Sequence, residues 1–199
     1  MSQKKLIEKA QEKLEKGNLE HHAILKTGKP DDQFLIKSAP PGQKPWAVVL
    51  SCADSRVIPE RIFNANEGDL FVCRVAGNIS DTATIASIEY AVTELKVPLI
   101  IVLGHEDCGA VKETLKFVKN RGDLGFNLNQ LVSFIIPAVN KPERNDLVEA
   151  TKCNAVISAK GLTERSETLA KAVSGKKLTI LSGYYHITGS NAGKVEYLG

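Results

Sequence analysis

Three residues with sulfur or nitrogen ligand atoms follow two apolar stretches of the sequence. Cys52 comes directly after WAVVLS, and His105 and Cys108 lie in GHEDCG, which follows VPLIIVL. The three-residue spacing lets His105 and Cys108 reach one metal ion from a tight turn, and Cys52 would be the third ligand. A Cys, His, Cys set that leaves one position for water is typical of a catalytic zinc site, whereas structural sites close with a fourth Cys or His.

A carboxylate and a guanidinium stand beside the first of these cysteines. In SCADSRVIPE, Asp54 and Arg56 follow Cys52 at alternate positions. Each feature also has a plain structural interpretation: a cysteine that ends a strand is often a small buried residue, and an Asp with an Arg is often a surface ion pair. The coincidence of both features with the His105 and Cys108 pair favours a functional site.

The elements that must position these residues alternate along the chain. Strands are predicted at WAVVLSC, DLFVCRV, VPLIIVLG and KLTILSGYYHI, and helices at VIPERIFN, TATIASIEYAVTEL and GAVKETLKFVKN, with two more helices between about 128 and 173. Continuous apolar strands that alternate with helices indicate an α/β fold with a mostly parallel central sheet flanked by helices. Ligands bind beyond the carboxyl ends of such strands, which is where Cys52 and GHEDCG fall.

Residues 1–45 are predicted to form an N-terminal helical arm and connector of one domain that spans residues 1–199. The segment KKLIEKAQEKLEKG places Leu6, Ile7, Ala10 and Leu14 on one helical face, and Pro30, Pro40, Pro41 and Pro45 then break regular structure. A short amphipathic helix gains little stability alone, so we expect this arm to pack onto a second subunit.

Composition limits the compartment and the partners. The 199 residues carry a net charge of +3 with scattered basic residues, so no nucleic-acid partner is predicted. The longest apolar stretches are too short to span a bilayer, and the charged N-terminus does not read as a secretory signal, so no membrane association is predicted. The four cysteines, Cys52, Cys73, Cys108 and Cys153, are too widely spaced to indicate a disulfide framework, which favours a reducing, cytoplasmic location.

Taken together, SCADSRV and GHEDCGAV, separated by GDLFVCRVAGN and SIEYAV, resemble the paired motifs of the β-class carbonic anhydrases. The resemblance runs from about Gln43 to Lys112 and returns in GYYHITGSNAGKVEYL, which is similar to the family's closing strand and hairpin. It implies that Cys52, His105 and Cys108 bind one zinc ion per chain and that Asp54 and Arg56 are the active-site pair. It also implies a substrate pocket of the plant-like branch, lined by Gln43, Phe71, Tyr90 and Gly109.

The activity that this resemblance implies is reversible hydration of CO2 to bicarbonate and a proton. A zinc-bound hydroxide would attack CO2, with Asp54 orienting it and Arg56 fixing Asp54. The resemblance also implies a homodimer or larger homo-oligomer with active sites near the subunit interface. Two alternatives stay open: a hydrolase of carbon disulfide or carbonyl sulfide with the same ligands, and a zinc or partner-binding protein without catalysis. The DSR and GHxxCG motifs favour CO2, and the intact Asp54 and Arg56 argue against a silent protein.

Overall fold

The computed structural model describes residues 2–27, 41–120, 122–140 and 146–199. Within these residues the helices are α1 (Gln3–Thr27), α2 (Pro59–Ile62), α3 (Thr82–Thr93), α4 (Gly109–Asn120), α5 (Phe126–Val139), α6 (Leu147–Arg165) and α7 (Glu167–Ser174). The strands are β1 (Ala47–Ser51), β2 (Leu70–Arg74), β3 (Leu99–His105), β4 (Thr179–Tyr185) and β5 (Val195–Leu198). Short 3₁₀ turns lie at Ala76–Asn78 and Gly189–Asn191.

The strands form one mixed sheet in the order β2-β1-β3-β4-β5. The pairs β1 with β2, β1 with β3, and β3 with β4 are parallel, and β5 closes the sheet antiparallel to β4. Every residue of β1 and β3 is buried. A central parallel strand is covered on both faces, which explains why these two segments are continuously apolar. The predicted α/β fold with a mostly parallel sheet is confirmed.

Alternate residues of the central strands enter two separate hydrophobic layers, as the two-residue period of a strand requires. Val49 and Ile101 pack on one face with Leu14 of α1 and with Ile62 and Phe63 around α2. The opposite layer joins β1 and β3 to α3, α6 and α7 through Val48, Ile100, Ile88, Leu162 and Leu169. The two layers hold the carboxyl ends of β1 and β3 side by side, and these ends carry the predicted metal ligands.

Helix α1 is longer than predicted and finds its partner surface on its own chain. It continues past Gly17 to Thr27, and a Cβ on Gly17 would lie within 1.9 Å of the Phe63 carbonyl oxygen, so only glycine allows this approach. The Asn18 side chain donates to the carbonyls of Ile62 and Gly193 and accepts from the amide of Val195. The sheet of the same chain therefore covers Ala10 and Leu14 of the apolar face, whereas Leu6 and Ile7 stay half-buried, and contact of the arm with a second subunit stays a prediction.

The carboxyl-terminal half contains one helix more than predicted. Instead of two helices between 128 and 173, the described residues of this stretch include three, because α6 ends at Arg165 and α7 begins at Glu167, with Ser166 between them. The Ser166 backbone is extended, and its hydroxyl accepts a hydrogen bond from the amide of Leu169, which is the geometry of a helix N-cap. A serine inside an apolar helical pattern does not by itself predict that the helix ends there.

Two further expectations concern the chain outside the sheet. Most of the predicted connector, residues 28–40, lies outside the described residues. No helix in the parts of the chain that the structure describes is both long and apolar enough to cross a membrane.

Candidate metal centre

The three predicted ligands converge at one edge of the sheet. Cys52 follows β1, His105 ends β3, and Cys108 immediately precedes α4. Their sulfur and nitrogen ligand atoms all lie within 4.8 Å of one another, and all three residues are buried. Because β1 and β3 are adjacent and parallel, residues far apart in sequence meet here without any long connecting loop.

The imidazole of His105 is arranged as a metal ligand would be. Its Nδ1 lies 2.9 Å from the carbonyl oxygen of Glu106, so Nδ1 carries the proton and donates it there. Its Nε2 is buried and has no hydrogen-bond partner. Burying an unprotonated ring nitrogen without a hydrogen-bond donor costs free energy, because its lone pair loses its contact with water. A metal ion that binds this lone pair offsets the cost. The imidazole therefore fits a metal.

The two cysteine thiols shift each other's pKa in opposite directions. Hydrogen bonding by Cys108, and by the Gly77 amide, lowers the pKa of Cys52 to about 4 against the opposing effect of burial. The same bond to Cys52, together with burial, raises the pKa of Cys108 far above its usual range. A divalent cation between the two sulfur atoms would favour ionisation of both thiols and would be held by two thiolates and one neutral imidazole. This donor set suits zinc.

Asp54 and Arg56 form a bidentate pair beside the ligands. Arg56 donates from Nε to Asp54 Oδ1 at 3.0 Å and from Nη2 to Oδ2 at 2.8 Å, and its backbone amide adds a bond to Oδ1 at 2.9 Å. Hydrogen bonding by Arg56 lowers the pKa of Asp54 to about 2, so this carboxyl is ionised at neutral pH. Asp54 Oδ2 lies 4.0 Å from His105 Nε2, which places the carboxylate next to the metal ligands.

Arg74 also supports this loop, although no role at the metal was predicted for it from the sequence. It lies at the end of β2, level with Ser51 of β1. Its guanidinium donates to the carbonyl of Cys52 at 3.3 Å and to that of Asp54 at 2.6 Å. The register of two neighbouring strands was the only signal for this contact, and that register is not readable from spacing.

Glu106 anchors the turn between the other two ligands. Its carboxylate accepts from the amides of Ile187 and Thr188 at 2.8 and 2.7 Å and from the Thr188 hydroxyl at 2.9 Å. Its amide donates to the carbonyl of Tyr185 at 2.9 Å. The residue whose carbonyl orients His105 is therefore tied to the segment that follows β4.

The predicted pocket residues do not gather around the metal ligands within one chain. Gly109 does lie there, directly after Cys108, and a Cβ on it would meet nothing within 4 Å. Phe71 pairs with Val48, four residues before Cys52, which is about 13 Å along the strand at roughly 3.3 Å per residue. Tyr90 stacks near Phe71 with ring centroids 6.3 Å apart, and its side chain is half exposed.

Gln43 also lies away from the ligands, at the opposite end of β1. It is exposed and lines a shallow surface cavity with Gly68 and Asp69, just before β2 begins. The pocket roles of Gln43, Phe71 and Tyr90 therefore stay predictions, and any such role requires these side chains to reach a metal site other than the one in their own chain.

The comparisons with known proteins all point to one family. Residues 47–193 match the sequence profile of a family described as "Carbonic anhydrase". A protein of Mycobacterium tuberculosis named "Carbonic anhydrase 2" is 38% identical over 163 residues, which cover 79% of this chain and 78% of that protein. A carbonic anhydrase of Mycolicibacterium smegmatis is 39% identical over 164 residues and covers the same shares.

Solved structures agree with the sequence relatives. One of the tetrameric β-carbonic anhydrases of Sordaria macrospora superposes with a TM-score of 0.68 at 26% identity, over 79% of this chain and 82% of that one. A β-carbonic anhydrase of Aspergillus fumigatus superposes with a TM-score of 0.65 at 25% identity, over 92% and 84% of the two chains. The family profile, which matches residues 47–193, includes both segments that carry the metal ligands.

Proposed function

We propose that this chain, which belongs to the β-class carbonic anhydrase family, hydrates CO2 reversibly to bicarbonate and a proton at a zinc ion bound by Cys52, His105 and Cys108. The observation that carries the proposal is the buried cluster of these three ligands, with the Asp54 carboxylate 4.0 Å from His105 Nε2. One zinc ion per chain follows from one such cluster in the described residues.

The chemistry that zinc supplies when bound is Lewis acidity, which lowers the pKa of a coordinated water. The protein contributes the ligand geometry. Glu106 fixes the tautomer of His105 through its carbonyl, and the Gly77 amide donates to the Cys52 sulfur at 3.4 Å. Burial of all three ligands keeps competing water from the protein side of the site.

Asp54 is proposed to orient the nucleophile. Two of the three hydrogen bonds from Arg56 end on Oδ1, while Oδ2, the oxygen nearer His105, accepts only one. A carboxylate oxygen has two acceptor sites, so Oδ2 keeps one for the oxygen that attacks CO2. The same clamp by Arg56 holds Asp54 back from the metal. With a pKa of about 2, Asp54 stays an acceptor at every pH where the enzyme is expected to work.

The substrate pocket is proposed to be completed by a second subunit. Gly109 leaves the approach to the ligands open on one side, whereas Gln43, Phe71 and Tyr90 lie along or below β2, an edge strand of the sheet. A homodimer or larger assembly in which one chain offers these three side chains to the metal of its neighbour reconciles their predicted role with their position.

Subunit mixing tests this arrangement. A Cys52→Ala chain lacks the metal site, and a Phe71→Ala/Tyr90→Ala chain lacks the proposed pocket. If the pocket is contributed in trans, mixed dimers contain one intact site, and mixing the two weak variants restores CO2 hydration. Mixing that restores nothing, although mixed dimers form by mass spectrometry, would place the pocket within one chain or remove it.

A cytoplasmic location is also proposed. None of the four cysteines forms a disulfide in the described parts of the chain, and two of them form part of the metal cluster. Thiols of this kind persist in a reducing compartment.

The first test of the function is zinc content and stopped-flow CO2 hydration on the same preparation, from about pH 6.5 to pH 9. We expect about one zinc per chain and a rate that rises toward alkaline pH. Full zinc occupancy without hydration at any pH would reject the proposal, and assays with carbon disulfide and carbonyl sulfide would then follow.

A further inference from the structure

We propose that Asn154 is a positioning residue of the metal centre, acting on Cys52 through Gly77. Asn154 lies in α6, 102 residues after Cys52, in a segment whose sequence offered no link to the site. The inference rests on the proposed zinc site and concerns how the protein tunes one of its ligands.

Two hydrogen bonds connect Asn154 to the sulfur. Its Nδ2 donates to the carbonyl oxygen of Gly77 at 2.7 Å, and the amide of Gly77 donates to Cys52 Sγ at 3.4 Å. Gly77 lies in the 3₁₀ turn after β2 with φ of 71°, and a Cβ there would meet Ile135 Cδ1 at 2.7 Å. The turn is therefore packed closely against α5, while Asn154 fixes it from the side of α6.

The hydrogen bonds that the buried Asn154 amide makes and lacks favour a positioning role over a purely stabilising one. The residue is fully buried, and its Oδ1 has no hydrogen-bond partner. An apolar side chain of similar size would avoid the cost of burying that oxygen. The amide brings one gain in return, which is the bond from Nδ2 to Gly77.

The consequence for the metal follows from ordinary ligand chemistry. An N–H group that points at a thiolate withdraws electron density from the sulfur and holds it in one orientation, as outer hydrogen bonds do at many metal sites. Without Asn154, the Gly77 turn is free to rotate its amide away from Cys52. The sulfur then becomes a stronger electron donor, but it is less well oriented toward the metal.

The test compares Asn154→Leu and Asn154→Ala with the wild-type protein, using Ser158→Ala as the matched control. Ser158 is a buried residue one helical turn further along α6 and lies outside the proposed relay. Zinc affinity is measured by competition with a chelator. The zinc-free proteins are also loaded with Co2+, and the sulfur-to-cobalt charge-transfer band is recorded.

We expect both Asn154 variants to bind zinc about 10-fold or more weakly and to shift the cobalt band to longer wavelength, while Ser158→Ala changes neither. Asn154→Ala carries the test if the leucine variant does not fold. Wild-type affinity and an unshifted band in a folded Asn154 variant, even with a lower Tm, would reject the relay. Failure of the wild-type protein to bind Co2+ through sulfur would reject the zinc site itself.

Discussion

Cys52 and Cys73 lie on neighbouring strands, yet the protein gives their thiols opposite properties. Cys52 stands just beyond β1, where hydrogen bonding by Cys108 and the Gly77 amide lowers its pKa to about 4. Cys73 lies inside β2, paired with Leu50, where burial and the nearby charge of Asp81 raise its pKa to about 11. Both residues are at least partly buried, so burial alone does not explain the contrast.

This difference shows that a thiol can be activated just beyond a strand end in this fold, but not inside a strand. Inside the strands, backbone amides are used by neighbouring strands and a thiol finds no donor, so its neutral form is favoured. Just past the strand end, the chain turns, and amides and side chains are free to point at a sulfur. The same residue type is a packing element one position before the last residue of a strand and a ligand one position after the last residue.

The largest effect should come from exchanging each cysteine for alanine. Cys52→Ala removes a metal ligand, so zinc content should fall to a small fraction of one per chain and CO2 hydration should drop to the buffer rate. Cys73→Ala removes only a few packing contacts and should retain both. Metal analysis with stopped-flow assays measures the two effects, and zinc loss from the Cys73 variant would break the comparison.

The second effect should come from Asp54→Asn. The amide can turn its NH2 group toward the nucleophile and no longer guarantees an acceptor, so kcat/KM should fall by about 10²–10⁴-fold while zinc stays bound. Asp123→Asn is the matched control, because hydrogen bonds from Asn129 and Gly125 also lower the pKa of Asp123 on the exposed surface. Equal losses in both variants would contradict a role for Asp54 at the metal.

A smaller loss is expected for Arg56→Lys. Lysine keeps the charge but cannot make the bidentate contact with Asp54, so the carboxylate should be less firmly held and activity should fall by about 10–100-fold. Arg61→Lys in α2 serves as the control for an exposed arginine in the same segment. Full activity in Arg56→Lys would mean that charge alone, and not the fork geometry, positions Asp54.

The smallest effect concerns thiol reactivity in zinc-free protein. At pH 7 a pKa of about 4 leaves Cys52 fully ionised, whereas about 11 leaves a fraction of roughly 10⁻⁴ for Cys73. The lower intrinsic reactivity of the more acidic thiolate offsets about 10³ of that difference, so Cys52 should alkylate about 10-fold faster. Raising the pH should increase the Cys73 rate about tenfold per unit and leave Cys52 unchanged.

Peptide mass spectrometry of iodoacetamide-treated protein measures both rates. Bound zinc should protect Cys52 and leave Cys73 unaffected. If the alkylation rate of Cys52 increased tenfold per pH unit between pH 6 and pH 9, the neighbouring hydrogen-bond donors would not stabilise its thiolate at neutral pH.

The sequence was sufficient where the determinants are local. The strands β1 and β3 are buried on both sides, so a continuous apolar run in the sequence was enough to predict them. The predicted helical segment GAVKETLKFVKN coincides with α4 from Gly109 to Asn120. Asp54 and Arg56 meet across two residues, so their pairing depended on nothing outside the loop. The parallel order of β1 and β3 then brought Cys52 to His105 and Cys108, as their positions at strand ends predicted.

What the sequence left hidden depends on contacts between distant segments. Asn154 and Gly77 are separated by 77 positions, and neither belongs to a pattern that links them. The continuation of α1 through Gly17 depends on Phe63, which no local rule connects to that helix. The break at Ser166 could be recognised only from the backbone conformation, because a capping serine and a serine within a helix look alike in a sequence.

The attachment of α1 also has a consequence during synthesis. Asn18 leaves the ribosome early, but its partners at Gly193 and Val195 are 175 and 177 residues further on. At a translation rate of about 5–20 residues per second, the segment with Gly193 and Val195 is synthesised roughly 9–35 s after Asn18. Throughout that interval Asn18 lacks two of its three partners, so α1 can pack on β1 and α2 but cannot yet be joined to the carboxyl-terminal hairpin.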